Sequence, residues 1–215
     1  MDRREARAAR RAERDGSGPT LEEREPTRYP GATGAFALFG EALYTGLLIT
    51  IASLPIVTMP AALTAGIRHL RRYLNAEQSH ARQFWRDYRT ALPGGIAVGA
   101  VTAVIAAVLT ADILLAGTGA LPGGTVIGAV GWVGLVAAGV ALLAITGGYE
   151  PARGWMPAVR GIPSIIRADF VGALYLAATV VFVGVATWML IPLLLPALGL
   201  AALAVVAIPT RRRGR

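Results

Sequence analysis

The stretch Ser53–Leu74, SLPIVTMPAALTAGIRHLRRYL, decides how the chain is read. A long apolar run reaches it from Gly34, meets Pro55 and Pro60, stays apolar to Ile67, and then turns basic at Arg68, Arg71 and Arg72. Proline inside a helix removes a hydrogen bond and clashes with the preceding turn, so this pair predicts a break. The run 34–67 contains a single charge, Glu41. It is too long for one bilayer crossing and short for two, since about 20 residues cross a hydrocarbon core of about 30 Å. Two readings follow. In one, the chain dips into the bilayer, turns at the Pro55–Pro60 corner and returns at Arg68. In the other, a single helix over 36–54 crosses, the prolines form an exit turn, and 61–74 is an amphipathic helix lying on the membrane surface.

The rest of the chain has the same character. Its 215 residues are 54% hydrophobic and the mean hydropathy is +0.54. That exceeds the roughly 45–50% apolar content of soluble domains, and the excess is gathered into blocks: 92–116, 123–147 and 170–209. The last has no charged residue; as one straight helix it would measure about 60 Å, so it must fold back. Pro192 and Pro196 supply the break, predicting spans over 170–191 and 194–209. The fold class expected is all-α: a polytopic transmembrane bundle of about five hydrophobic helices, its first element broken by proline. Polar segments flank it, a tail over 1–33 expected to be disordered and a basic tail over 210–215.

All 21 basic residues are arginine. Segments 1–33, 68–91, 148–169 and 211–215 carry 8, 6, 3 and 4 of them, whereas the connections 117–122 and 192–196 carry none. Arginine collects in cytoplasmic loops. The alternation predicts a bacterial inner-membrane, multi-pass protein with its C-terminus in the cytoplasm, and explains the net charge of +8 without nucleic acid. The single-helix reading of 34–67 would put the eight tail arginines outside, beside seven acids; the hairpin reading keeps every arginine inside. The return arm 61–74 is only about 21 Å long, which counts against the hairpin.

Short motifs add local expectations. Phe84, Trp85 and Tyr88, among Arg82, Arg86 and Arg89, predict an interfacial helix over 77–91, and Trp155 repeats the pattern before the fourth block. Gly95–Gly99 and Gly124–Gly128 are small-x3-small pairs suited to close helix packing, within the bundle or between copies. Thr58, between the prolines, is placed to bond a carbonyl that they leave free. Glu41 and Asp112 are the ionisable residues expected inside the bilayer, where a charge costs at least about 2.5 kcal/mol. Glu41 suits a partner on a neighbouring helix or a proton, ion or substrate contact; Asp112 suits the interface. No metal or cofactor site is expected: there is no cysteine, and neither His69 nor His80 has ligands at zinc spacing. No nucleophile–base set is visible, so the chain is read as no enzyme.

Ser53, Leu54, Pro55, Ile56, Val57, Thr58, Pro60, Ala61, Ala62 and Ala65, followed by Phe84, Trp85, Asp87 and Tyr88, resemble the YesL-like family of small bacterial membrane proteins over roughly 36–115. An asparagine common in that family's first helix is absent here. The resemblance implies a multi-span inner-membrane protein of undefined activity, linked to carbohydrate ABC importers. The function expected is that of a non-enzymatic accessory or assembly component of a transport system. Its partners would be the lipid bilayer and importer subunits or a second copy. The alternative is a small transporter or channel using the broken first element with Glu41, Thr58 and Asp112.

Overall fold

A computed structural model describes residues 34–77, 79–119 and 122–210. The expectations for the tails 1–33 and 211–215 lie outside the described residues. The described chain is helical: α1 (Ala35–Ala52), a 3-10 turn (Ile56–Thr58), α2 (Met59–Leu74), α3 (Ala81–Gly117), α4 (Gly124–Gly148), two short helices α5 (Trp155–Arg160) and α6 (Ile162–Ala168), α7 (Phe170–Met189), a second 3-10 turn (Ile191–Leu193) and α8 (Leu194–Thr210). Four helices, α1, α3, α4 and α7, are long and apolar enough to cross a membrane, and α8 is a shorter apolar helix. Val101, Val104, Ile105 and Val108 on α3 and Val181, Phe182, Val185 and Trp188 on α7 are exposed. Water would not tolerate so large an apolar surface; lipid does. The fold is that of a multi-pass helical membrane protein.

Between α1 and α2 the chain turns back on itself. Glu41 meets His69, Thr45 and Ile49 flank Gly66, and Ala52 meets Thr58, so the two helices run antiparallel and the start of α1 lies beside the end of α2. Eleven of the 16 residues of α2 are buried, from Pro60 through Ile67 and on to His69, Leu70 and Leu74. α2 is thus a core helix of the bundle. Its run of proline, alanines and glycine lets neighbours approach closely, and its arginines sit at the one end that leaves the core.

The corner itself is held by hydroxyls. Thr58 Oγ1 donates to the carbonyl of Ala52 or of Pro55, each 2.7 Å away, and Tyr88 Oη donates to the same Ala52 carbonyl at 3.1 Å. The last carbonyls of any helix lack N–H partners, and within a membrane only other protein groups can satisfy them. The corner rests on α3 at Gly99, where a β-carbon would collide with the Val57 carbonyl. From Gly99 to Gly117 α3 runs on for about 27 Å. The hairpin therefore covers only the first part of the α3 span.

Within α3, Pro93 (ψ 122°) and Gly94 (φ 79°) are non-helical, separating an entry segment, 81–92, from the apolar run 95–117, close to the expected boundary between the helix 77–91 and the block 92–116. The positive φ of Gly94, which other residues rarely adopt, makes a sharp bend there. The second break differs from expectation in position. In the last block, α7 ends at Met189 and α8 has begun by Leu194, so Pro196 lies in the first turn of α8. A first-turn proline gives up an N–H that has no partner there, so the break belongs to residues 190–193.

A close backbone approach joins α1 to α8. A β-carbon on Gly46 would collide with the Leu195 carbonyl, and one on Gly199 with the Ala42 carbonyl. Ala42-x3-Gly46 and Gly199 thus form a tight small-residue crossing, one that the sequence reading had not singled out. Gly46→Leu or Gly199→Leu is expected to abolish the folded state or lower its stability by more than about 3 kcal/mol. Gly40→Ala, whose β-carbon would meet nothing within 4 Å, should leave it unchanged. Thermal unfolding in mild detergent checks both.

Candidate functional site

Two groups of polar side chains stand apart from the lipid-facing surface. The first lies in the α1–α2 seam. His69 is fully buried, and its Nε2 lies 2.7 Å from Glu41 Oε1, with the Glu41 side chain 19% exposed. The other ring nitrogen, Nδ1, has no partner among the described residues. Tyr44 packs against the imidazole with ring centroids 6.0 Å apart. Thr45 Oγ1, one turn from Glu41 on the same helix, is also buried without a partner among the described residues. Chemically this is a hydrogen-bonded acid–imidazole pair closed off by protein.

The second group gathers at one end of the bundle. Arg68, Arg71 and Arg72 occupy the last turns of α2. Arg72 Nη2 donates to Asp87 Oδ2, and Arg68 Nε lies 3.5 Å from that same oxygen, tying α2 to the entry segment of α3. Arg71 Nη2 donates to the carbonyl of Gly147 at the end of α4, 3.0 Å away. Desolvation first, and repulsion from Arg68 second, lower the Arg71 pKa from its ordinary value, yet a guanidinium keeps its charge in proteins.

Beneath this end lies a set of interlocked aromatic groups. Where α3 bends at Pro93, its carbonyls lose helical partners. Trp155 Nε1 donates to the Ala91 carbonyl at 2.9 Å, and Tyr149 Oη donates to the Thr90 carbonyl at 3.3 Å. Their rings pack together with centroids 4.4 Å apart, and Trp155 lies over Gly94 and Gly95, leaving no room for a side chain at either. Desolvation raises the Tyr149 phenol pKa, with Arg68 opposing and Asp87 assisting, so the hydroxyl keeps the proton it donates. These bonds bring the entry segment of α3 and the 149–160 connection together, and Arg82, Arg86, Arg89, Arg153 and Arg160 are all exposed on the two.

The structure places each residue singled out above. Phe84 and Trp155, expected as anchors at headgroup level, are buried at 0% and 7% exposure. The correction has a physical reason: Trp155 is needed inside as a hydrogen-bond donor, and Phe84 faces inward while packing edge-on against Trp85. Trp85 and Tyr88 are half-buried. Gly95 meets Ala61 and Trp155, Gly124 meets the Ala116 carbonyl, and Gly128 meets the Ala116 side chain, so these glycines have neighbours within their own chain. Asp112 is exposed on α3, 13 residues beyond Gly99. Glu41 and Thr58 sit at opposite ends of the hairpin, so Glu41, Thr58 and Asp112 do not come together. Among the described residues no three metal-ligating side chains cluster.

Sequence reasoning missed the Glu41–His69 pair, although each lies 14 residues from Pro55, so folding the chain at that proline brings them opposite. It also missed Asp87 as the partner of Arg68 and Arg72, for which the i,i+4 spacing of the arginines was the signal. Replacing His69 by Ala should cost about 2–5 kcal/mol of stability, since it opens a cavity and strips Glu41 of its partner. The double change Glu41→Leu/His69→Leu should cost less than the sum of the single changes, a double-mutant cycle in detergent giving a coupling of at least about 1 kcal/mol.

No curated protein and no solved structure matches the chain. Residues 42–113, from the middle of α1 through the corner and α2 to the last turns of α3, match the model of a family described as "Protein of unknown function, DUF624".

Proposed function

We propose that this protein is a non-enzymatic accessory or assembly component of a membrane transport system, with its arginine-bearing end in the cytoplasm of a bacterial inner membrane. The observation that carries this reading is the joining of two arginine-bearing segments, 81–92 and 149–160, into one face by the Trp155–Ala91 and Tyr149–Thr90 hydrogen bonds. A built, solvent-facing surface of this kind suits a protein partner, and arginine excess suits the cytoplasmic side. The resemblance to YesL-like proteins supports carbohydrate ABC import as the system concerned. Purification from native membranes in mild detergent should bring down transporter subunits, and replacing Arg82, Arg86 and Arg89 together by Gln should lose them. If nothing accompanies the wild-type protein, or if scrambling the exposed positions of both segments changes nothing, the reading falls.

The second reading, a small transporter or channel, draws on the buried Glu41–His69 pair, the kind of intramembrane ionisable group that marks ion and proton paths. The separation of Glu41, Thr58 and Asp112 weighs against a shared route. The expectation is that proteoliposomes of the purified chain show no sugar or proton uptake. Uptake that disappears in Glu41→Ala would reverse the order of the two readings.

A further inference from the structure

A cleft of about 310 Å³ opens at the arginine-bearing end, its charged lining made of Arg68, Arg71, Arg72, Glu77 and Glu150, with Tyr149 beside them. Its charges are unevenly matched. Asp87 serves both Arg68 and Arg72 through one oxygen. Arg72 Nη1 is buried without an acceptor among the described residues, and burying such a donor unpaired is costly. Arg71 has no carboxylate partner among the described residues; its one acceptor is the Gly147 carbonyl. The two acids of the lining are otherwise engaged, Glu150 with Arg153 at 3.3 Å and Glu77 accepting from Asn75 at 3.5 Å.

Three guanidinium groups therefore converge on a concave space whose two lining carboxylates, Glu77 and Glu150, are paired elsewhere. Each guanidinium offers five N–H donors in a planar fork, a shape that matches the oxygens of a phosphate. The cleft also lies where α4 ends, next to the Gly147 carbonyl, at the edge of the apolar spans. That position is open both to lipid headgroups and to solutes. We propose that this cleft binds a phosphate-bearing anion, with Arg71 as its principal charge partner and Arg68 and Arg72 completing the donor set. The assignment goes beyond the accessory reading above and stands whether or not a transporter partner is found.

The test uses the full chain. In a neutral detergent, inorganic phosphate is titrated while binding heat and thermal midpoint are followed. In nanodiscs of phosphatidylcholine with and without phosphatidylglycerol, native mass spectrometry follows retained lipid. Saturable binding of one ligand per chain is expected in at least one medium. Arg71→Gln should weaken it by about tenfold or more, while Arg82→Gln, the same charge change on the exposed face of α3, should leave it intact. Arg68→Gln serves in place of Arg71→Gln should that variant fail to fold. Saturable phosphate binding without lipid preference assigns the site to a soluble phosphate compound, and selective phosphatidylglycerol retention assigns it to a lipid headgroup. No saturable binding in either medium, or an equal loss in Arg82→Gln, overturns the proposal.

Discussion

The carbonyl oxygen of Ala52 is the point on which the arrangement turns. A helix that stops inside a membrane leaves carbonyls that water cannot reach, and each must find a donor in the protein. Here the hydroxyls of Thr58 and Tyr88 converge on that one oxygen. The first comes from the corner that follows α1 and the second from the entry segment of α3, so a single acceptor fixes the end of one helix, the turn after it and the placement of a third element. The same solution recurs at the Pro93 bend, where Trp155 and Tyr149 take up carbonyls released by the break. In both places an interruption of a helix becomes the means by which distant segments are joined.

The consequences run through the bundle. Because α1 turns at the corner and comes back as α2, residues 34 and 74 lie toward the same end. The end of α4 lies there too, through Arg71 and Gly147, as does the end of α8, where Val205 lies beside Gly147. Among the described residues, the arginines at the end of α2 therefore lie at the same end as the termini of α4 and α8. α2 can occupy the core because its inner positions are small, and α1 can lie against α8 because glycine stands at the crossing on both helices.

The polar interior follows from the same geometry. The hairpin places Glu41 against a fully buried His69, while the return of α2 delivers three arginines to the bundle end, where Asp87 and the Gly147 carbonyl receive them. The buried pair and the arginine cleft are thus both products of one turn in the chain. They occupy different surroundings, the first enclosed between helices and the second open at the edge of the spans.

The sequence by itself determined that the chain is a helical membrane protein, where its long apolar helices lie, and that Pro55 and Pro60 interrupt the first of them. Those features depend on length, hydropathy and the backbone chemistry of proline, all of which act locally. Only the tertiary structure decided that α2 is a core helix, that Glu41 pairs with His69, that Arg68 and Arg72 share Asp87, and that Phe84 and Trp155 face inward. Each of these depends on which segments come into contact across tens of residues, and an amphipathic helix of modest hydropathy such as α2 reads the same whether its apolar face meets lipid or other helices. What told the two apart was the packing around it: 11 of its 16 residues are buried against neighbouring helices.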